Sequence, residues 1–191
     1  SLRRQRQMCI RDSVFPNEIS ISLLNSSIIL LFFFFQLEIA EIAVSFNDFK
    51  FIDRLWSDWS PNWPEYKKYS KATIDVLSKN TVLSKAIAYY RCTFQQNLQT
   101  ERINELATNL LSKKIAIPSL YLHGENDGCI GHYLSEGMED YFEDLEIKIL
   151  PDCGHFLHLE KKDQVLFFLN RRGFSPNALC NKCFTLSLIH I

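Results

Sequence analysis

PSLYLHGENDGCI (residues 118–130) and LEIKILPDCGHFLHLEKKDQVLFFL (residues 145–169) read as two strand-and-loop units in succession. Residues 117–124 have the apolar density of a buried strand that enters a loop at Gly124. Residues 132–142 are helix-like, 145–150 form a second strand, and 157–169 a closing amphipathic helix. Strands that alternate with helical segments through short connections predict parallel strands in an α/β sheet. In such sheets the loops past the strand ends hold the ligand site. Asp127 falls in the first of these loops and His155 in the second. An acid and a histidine on neighbouring loops suit the orienting half of a catalytic triad. The carboxylate fixes the imidazole tautomer, and the imidazole works as base. The plainer reading is a turn-forming Asp and a loop His bonded to backbone.

Between residues 46 and 112 strand-like alternation is sparse. Phe49, Ile52, Leu55 and Trp56 recur at i, i+3, i+6 and i+7, one face of a helix. Pro61 and Pro64 predict its end and a turn, bracketed by Trp56, Trp59 and Trp63. Residues 73–77, 82–94 and 103–111 read as further helices, the second capped by Asn80 or Thr81. A helical stretch of this kind is a bundle core or a lid over a pocket. Farther upstream, IILLFFFF at residues 28–35 is an unbroken apolar run. Ser20, Ser22, Asn25, Ser26 and Ser27 precede it. Residues 19–37 therefore fall short of the ~20 predominantly apolar residues that a membrane span needs. A buried segment is expected instead, followed by a polar face of Glu38 and Glu41 opposite Ile39, Ile42 and Ala43.

The 191 residues are 47% hydrophobic and 23% charged, which excludes a disordered or collagen-like chain. Lys and Arg number 21 against 22 Asp and Glu, a net charge of −1. That balance gives no overall pull toward nucleic acid or anionic membrane. Aromatics at 13%, with 15 Phe, predict large cores or an aromatic-lined pocket. Six Gly are few for a complete enzyme of this length. The six cysteines, at positions 9, 92, 129, 153, 180 and 183, form no disulfide-rich pattern. They are expected to be reduced, in a cytoplasmic protein.

Several residues invite a sharper reading than they support. Cys180-x-x-Cys183 is half of a zinc pattern, with only Cys153 and His155 to complete it. Two chance cysteines are the plainer account, and no metal is expected. Cys129 and Cys153 flank the two loops, but neither sits in a strand-to-helix elbow, so neither reads as a nucleophile. His123 and His158 read as structural. Glu125 is the alternative acid to Asp127. Glu160 suits a helix N-terminus and carries no catalytic role. Glu136, Glu139, Asp140, Glu143, Asp144 and Glu146 lack the spacing of a calcium loop and read as a solvated face. The ends differ from the rest. SLRRQRQMCIRDS (residues 1–13) and TLSLIHI (residues 185–191) resemble translated sequencing-adaptor read-through and are expected to be non-native. A basic nucleic-acid arm is the alternative for the first.

The two opening stretches resemble the C-terminal end of α/β-hydrolases of the epoxide hydrolase and haloalkane dehalogenase type. The resemblance rests on G-x-x-D at residues 124–127, G-H-F at 154–156, and a Glu-containing helix after it. FFFFQLEIAEIAV (residues 32–44) and FIDRLWSDWSPNW (residues 51–63) resemble the cap region of bacterial epoxide-hydrolase-like members. One departure is Lys162, where the family usually has Pro. The resemblance implies a partial α/β-hydrolase fold: a helical cap, then the last two parallel strands and a closing helix. The cap would occupy residues 14–112, the core residues 113–172, and a partly non-native tail residues 173–191. It implies that Asp127 and His155 are catalytic. In the family a nucleophile, usually Asp within G-H-D-W-G, attacks an epoxide carbon and forms an ester. The histidine then activates water to cleave that ester. AYYRC (residues 88–92) resembles the cap segment ending in Tyr-Arg, so Tyr90 is the implied donor to the opening epoxide oxygen and Tyr89 the alternative. The implied partner is a small-molecule substrate, with no cofactor, nucleic acid or membrane.

Neither G-H-D-W-G nor G-x-S-x-G occurs in the 191 residues, and the early H-G oxyanion segment is missing too. The chain is therefore expected to be a C-terminal fragment, inactive alone. Three alternatives remain at this level: a non-catalytic helical interaction module, a membrane-tethered remnant using residues 19–37, or a fragment of a serine ester hydrolase.

Overall fold

The computed structural model describes residues 27–95, 99–111 and 113–173. The adaptor-like ends, most of the serine-rich stretch before the apolar run, and Cys9, Cys180 and Cys183 lie outside the described residues. Five helices come first: α1 (Ser27–Phe34), α2 (Ala40–Trp59), α3 (Tyr66–Leu77), α4 (Val82–Phe94) and α5 (Glu101–Leu111). Strands β1 (Ser119–Gly124) and β2 (Leu145–Leu150) follow, then α6 (Leu157–Glu160) and α7 (Lys162–Arg171). The strands pair in parallel, Ser119 against Leu145 through Gly124 against Leu150. Their C-terminal ends thus lie side by side, and the loops that leave them are neighbours.

The apolar run folds as α1, whose Leu31 and Phe32 are buried while Leu30 and Phe33 face outward. Phe32 and Phe35 set their rings against Tyr90 of α4, at 5.0 and 4.8 Å. Arg91, one residue on, closes the end of α1 by donating to the Phe35 and Leu37 carbonyls, each at 3.0 Å. These are carbonyls of the turn that follows the helix. Arg91 also holds Glu41 at 3.1 Å. That bond turns Glu41 toward α4 and reverses the expected amphipathic face. Ala40 and Val44 are fully buried, whereas Ile39 and Ile42 are 58% and 69% exposed.

Helix α2 breaks at residues 46–49, where Asn47, Asp48 and Phe49 have φ of 52, 53 and 58°. Asn and Asp tolerate this left-handed region because their short polar side chains bond locally. The helix resumes at Lys50 and buries Ile52, Trp56 and Trp59 along one face. Helix α3 packs beside it, with Ser70 Oγ donating to Asp53 at 2.7 Å. It starts at Tyr66, earlier than the apolar pattern indicates, because its first turns are Lys-rich and solvated. Thr81 precedes α4 with φ of 65° and makes no side-chain cap bond, contrary to expectation.

Phe156 joins the helical part to the sheet. Its ring lies flat on Trp56, with centroids 3.8 Å apart and planes 10° off parallel. Trp63 and Tyr69 complete that aromatic group. A smaller core of Leu150, Cys153 and Val165 lets α7 cover the sheet. Residues 132–142 are not one helix. They form two short 3₁₀ turns, His132–Ser135 and Met138–Tyr141, because Gly137 takes φ of 75° between them. The closing helix also divides, at Lys161 with φ of −124° and ψ of 44°. Lys162 becomes the first residue of α7, a position where Pro is favoured but not required. Among the described residues no helix is long and apolar enough to cross a membrane.

Ile52→Val should cost about 0.5–1.5 kcal/mol in urea unfolding, the loss of one buried methyl. Gly154→Ala should cost more, because a Cβ there would lie 2.6 Å from both the Ser60 Cα and the Trp59 carbonyl oxygen. Equal midpoints for Gly154→Ala and the unsubstituted chain would refute that close approach.

Candidate active site

Gly124 ends β1 and the chain turns at once. Glu125 N–H donates to the Leu150 carbonyl at 2.8 Å and Asn126 N–H to the Cys153 carbonyl at 2.9 Å. These bonds lash the loop after β1 to the loop after β2. Asp127 then folds its side chain onto its own loop, as Asp does in turns. Its Oδ1 accepts from the Cys129 and Ile130 N–H groups, at 2.7 and 2.9 Å. Its Oδ2 is left to face the neighbouring loop, where His155 Nδ1 stands 2.9 Å away. Both side chains are almost enclosed, at 4% and 8% exposure. The carboxylate bonded to His155 is thus Asp127 and not Glu125.

Burial by itself pushes the Asp127 carboxyl up. Hydrogen bonds from His123 and His155, and the charge those rings can carry, outweigh it and hold the group well below the usual carboxylate range. An ionised carboxylate only accepts, so His155 keeps its hydrogen on Nδ1 and its lone pair on Nε2. That is the tautomer a general base needs. The imidazole sits between two aromatic rings, Trp59 at 4.9 Å and Phe156 at 5.2 Å.

The sequence reading missed the residues that hold this loop. Trp59 offers its carbonyl to the His155 N–H at 3.0 Å and to the Gly128 N–H at 3.2 Å. Ser60, fully buried, donates to Glu160 Oε1 at 2.7 Å and accepts from the Phe156 N–H at 3.3 Å. Glu160 Oε2 accepts from the Gly154 N–H at 2.9 Å. The available signal was the W-S-P run, which places a polar Ser directly after a helix-ending Trp.

Tyr90 is buried on α4 within the aromatic group of Phe32, Phe35 and Tyr89. Burial first, and then the Asp127 charge, push the Cys129 thiol well above its usual range. Burial and Glu160 push Cys153 up to about 11. Neither is primed as a nucleophile. Asp127, Cys129 and His155 each offer a ligand atom within 4.8 Å of the others. N–H donors take both Asp127 oxygens, which leaves this trio a poor cradle for a cation.

His158 is held down to about 4, by burial and then by the neighbouring His155 charge. Its folded value lies below the ordinary 6.5, so the unfolded chain takes up that proton first. Stability should therefore fall as pH drops from about 6.5 toward 4, and His158→Gln should lose that part of the slope. Urea midpoints across this pH range would test it. Parallel curves for the two proteins would rule it out.

No protein-family model matches the chain. Over 102 residues it is 28% identical to the bifunctional epoxide hydrolase 2 of Rattus norvegicus, covering 53% of this chain and 18% of that protein. Over 72 residues it is 32% identical to the pimeloyl-(acyl-carrier protein) methyl ester esterase of Nitrosospira multiformis, covering 38% and 27%. A 26-residue match at 69% identity to the replication restart protein PriA of Haemophilus influenzae covers 4% of that protein, too little to carry a fold. A crystal structure from Klebsiella pneumoniae subsp. pneumoniae MGH 78578, named as a candidate epoxide hydrolase, matches with a TM-score of 0.64 at 19% identity. The match covers 82% of this chain and 51% of that one. The chain thus spans about half of that structure and under a third of each curated relative. With parallel strands, paired loops and a backbone shared in this way, the chain carries a partial α/β-hydrolase fold.

Proposed function

We propose that this chain supplies the acid, the base and the cap of a hydrolase that opens epoxides. The observation that carries the reading is the 2.9 Å bond from His155 Nδ1 to Asp127 Oδ2 at the ends of parallel strands. Residues 14–112 would be the helical cap and residues 113–172 the end of the core. The nucleophile would be an Asp from sequence outside these 191 residues. That Asp attacks an epoxide carbon, the ring opens, and an ester joins enzyme and substrate. His155 Nε2 then takes a proton from water, and the resulting hydroxide cleaves the ester. Asp127 steadies the imidazolium that forms. Tyr90 donates to the opening epoxide oxygen. No cofactor enters any step. The partner is a small epoxide, and the setting is the cytoplasm, consistent with free thiols at Cys92, Cys129 and Cys153.

A second reading, a serine ester hydrolase, draws on the likeness to the Nitrosospira esterase. There His155 would deprotonate a Ser and serve acyl transfer. Sequencing the transcript upstream of residue 14 separates the two. A frame with G-H-D-W-G supports epoxide chemistry, G-x-S-x-G supports ester chemistry, and neither motif defeats both. In a longer protein with G-H-D-W-G, His155→Ala and Asp127→Asn should each lower epoxide turnover by about 10²–10⁴-fold. Tyr90→Phe should lower kcat by roughly 10²-fold, the weight of one donor to a developing oxyanion.

A further inference from the structure

Asp127 Oδ2 faces two imidazoles. His155 Nδ1 lies 2.9 Å away and, from the strand side, His123 Nε2 lies 3.3 Å away. His123 is 5% exposed and follows Tyr121 by two residues on β1, so both side chains leave the same face of the strand. The Tyr121 hydroxyl meets His123 Nδ1. His123 Nε2 also stands 2.8 Å from the Ile130 carbonyl oxygen. A carbonyl oxygen only accepts, so Nε2 carries the hydrogen. In the neutral ring Nδ1 is then the acceptor, and the Tyr121 hydroxyl donates to it.

Ile130 is consequently gripped at both ends. Its N–H holds Asp127 Oδ1 at 2.9 Å, while its carbonyl takes the His123 hydrogen. A buried imidazole with no partner would carry a large desolvation penalty, and an apolar side chain would fill the same space without it. Here both ring nitrogens are engaged, and one of them is turned to the carboxylate.

We propose that Tyr121 and His123 are positioning residues. They form a second hydrogen-bonded arm on Asp127, and through that carboxylate they hold the Nδ1–H of His155 in place. Removing His123 would loosen both carboxylate oxygens together: Oδ2, at 3.3 Å, loses its longer share of the one Nε2 hydrogen, and Oδ1 loses support through the freed Ile130 peptide, whose carbonyl takes the shorter share at 2.8 Å. The inference rests on the proposed function only in calling His155 a base. The hydrogen-bond chain is testable without any reaction.

The test is proton NMR of the full 191-residue chain. A His155 Nδ1–H bonded to a carboxylate should give a downfield resonance that exchanges slowly with water and is lost in His155→Gln. His123→Phe should abolish that resonance or speed its exchange more than tenfold. His123→Gln, whose amide nitrogen can stand where Nε2 stands, should retain it. Tyr121→Phe should speed exchange roughly fivefold, the weight of one net hydrogen bond. Unchanged exchange in a folded His123→Phe overturns the proposal. If that variant loses its cooperative thermal transition, unchanged exchange in Tyr121→Phe overturns it instead. No such resonance in the unsubstituted chain would overturn the Asp127–His155 pair itself, and the proposed function with it.

Discussion

The carbonyl oxygen of Trp59 is the point on which the site is hung. It has two lone pairs and uses them on two loops, taking the N–H of Gly128 from the first and of His155 from the second. One backbone atom at the end of α2 thus sets how far apart Asp127 and His155 can lie. The approach is close enough to exclude side chains. A Cβ on Gly128 would meet the Asp58 carbonyl oxygen at 2.0 Å. The scarcity of glycine makes its placement telling: Gly124, Gly128 and Gly154 all stand where backbone meets backbone. Ser60 and Glu160 then fasten the second loop to the same helix end.

Helical part and sheet are for this reason one mechanical unit around the site. Trp56 and Phe156 stack across their boundary, and Trp59 lines the His155 ring on the helical side. The pair is enclosed by apolar rings, yet the Asp127 oxygens and His155 Nδ1 are bonded from within the loops. Low dielectric strengthens the His155–Asp127 bond, and the hydrogen bonds from His123 and His155 keep the carboxylate charged despite its burial. The same enclosure silences Cys129 and Cys153, whose thiols stay protonated.

Much of this was legible in local sequence. The strand at residues 145–150 appears with the boundaries read from it, as does the helix at 82–94. The neighbouring loops with Asp127 and His155 follow from parallel pairing, which apolar runs and short connections predict. What was not legible has a common cause. Ile39 and Ile42 face outward because Arg91, fifty residues on, bonds Glu41. The break at residues 46–49 and the two turns in 132–142 depend on left-handed residues at Asn47, Asp48, Phe49 and Gly137, and of these Phe49 is not marked by its residue type at all. Ser60 and Glu160 are separated by 100 residues, so no periodicity joins them. His123 read as structural, and only coordinates reveal that its ring reaches the same oxygen as His155.

That long separation also has a consequence in time. The Ser60–Glu160 and Ser60–Phe156 bonds span 100 and 96 residues of chain. Closing a loop of that length costs entropy before any contact repays it, and such contacts form late. During synthesis the aromatic helices emerge before these loops and are able to collapse while the partner loops are still unmade. Asp127 and Glu125 wait for the second strand, and His155 meets Trp59 only once nearly the whole described chain has left the ribosome. The site therefore assembles after the aromatic helices, and its geometry waits on both strands.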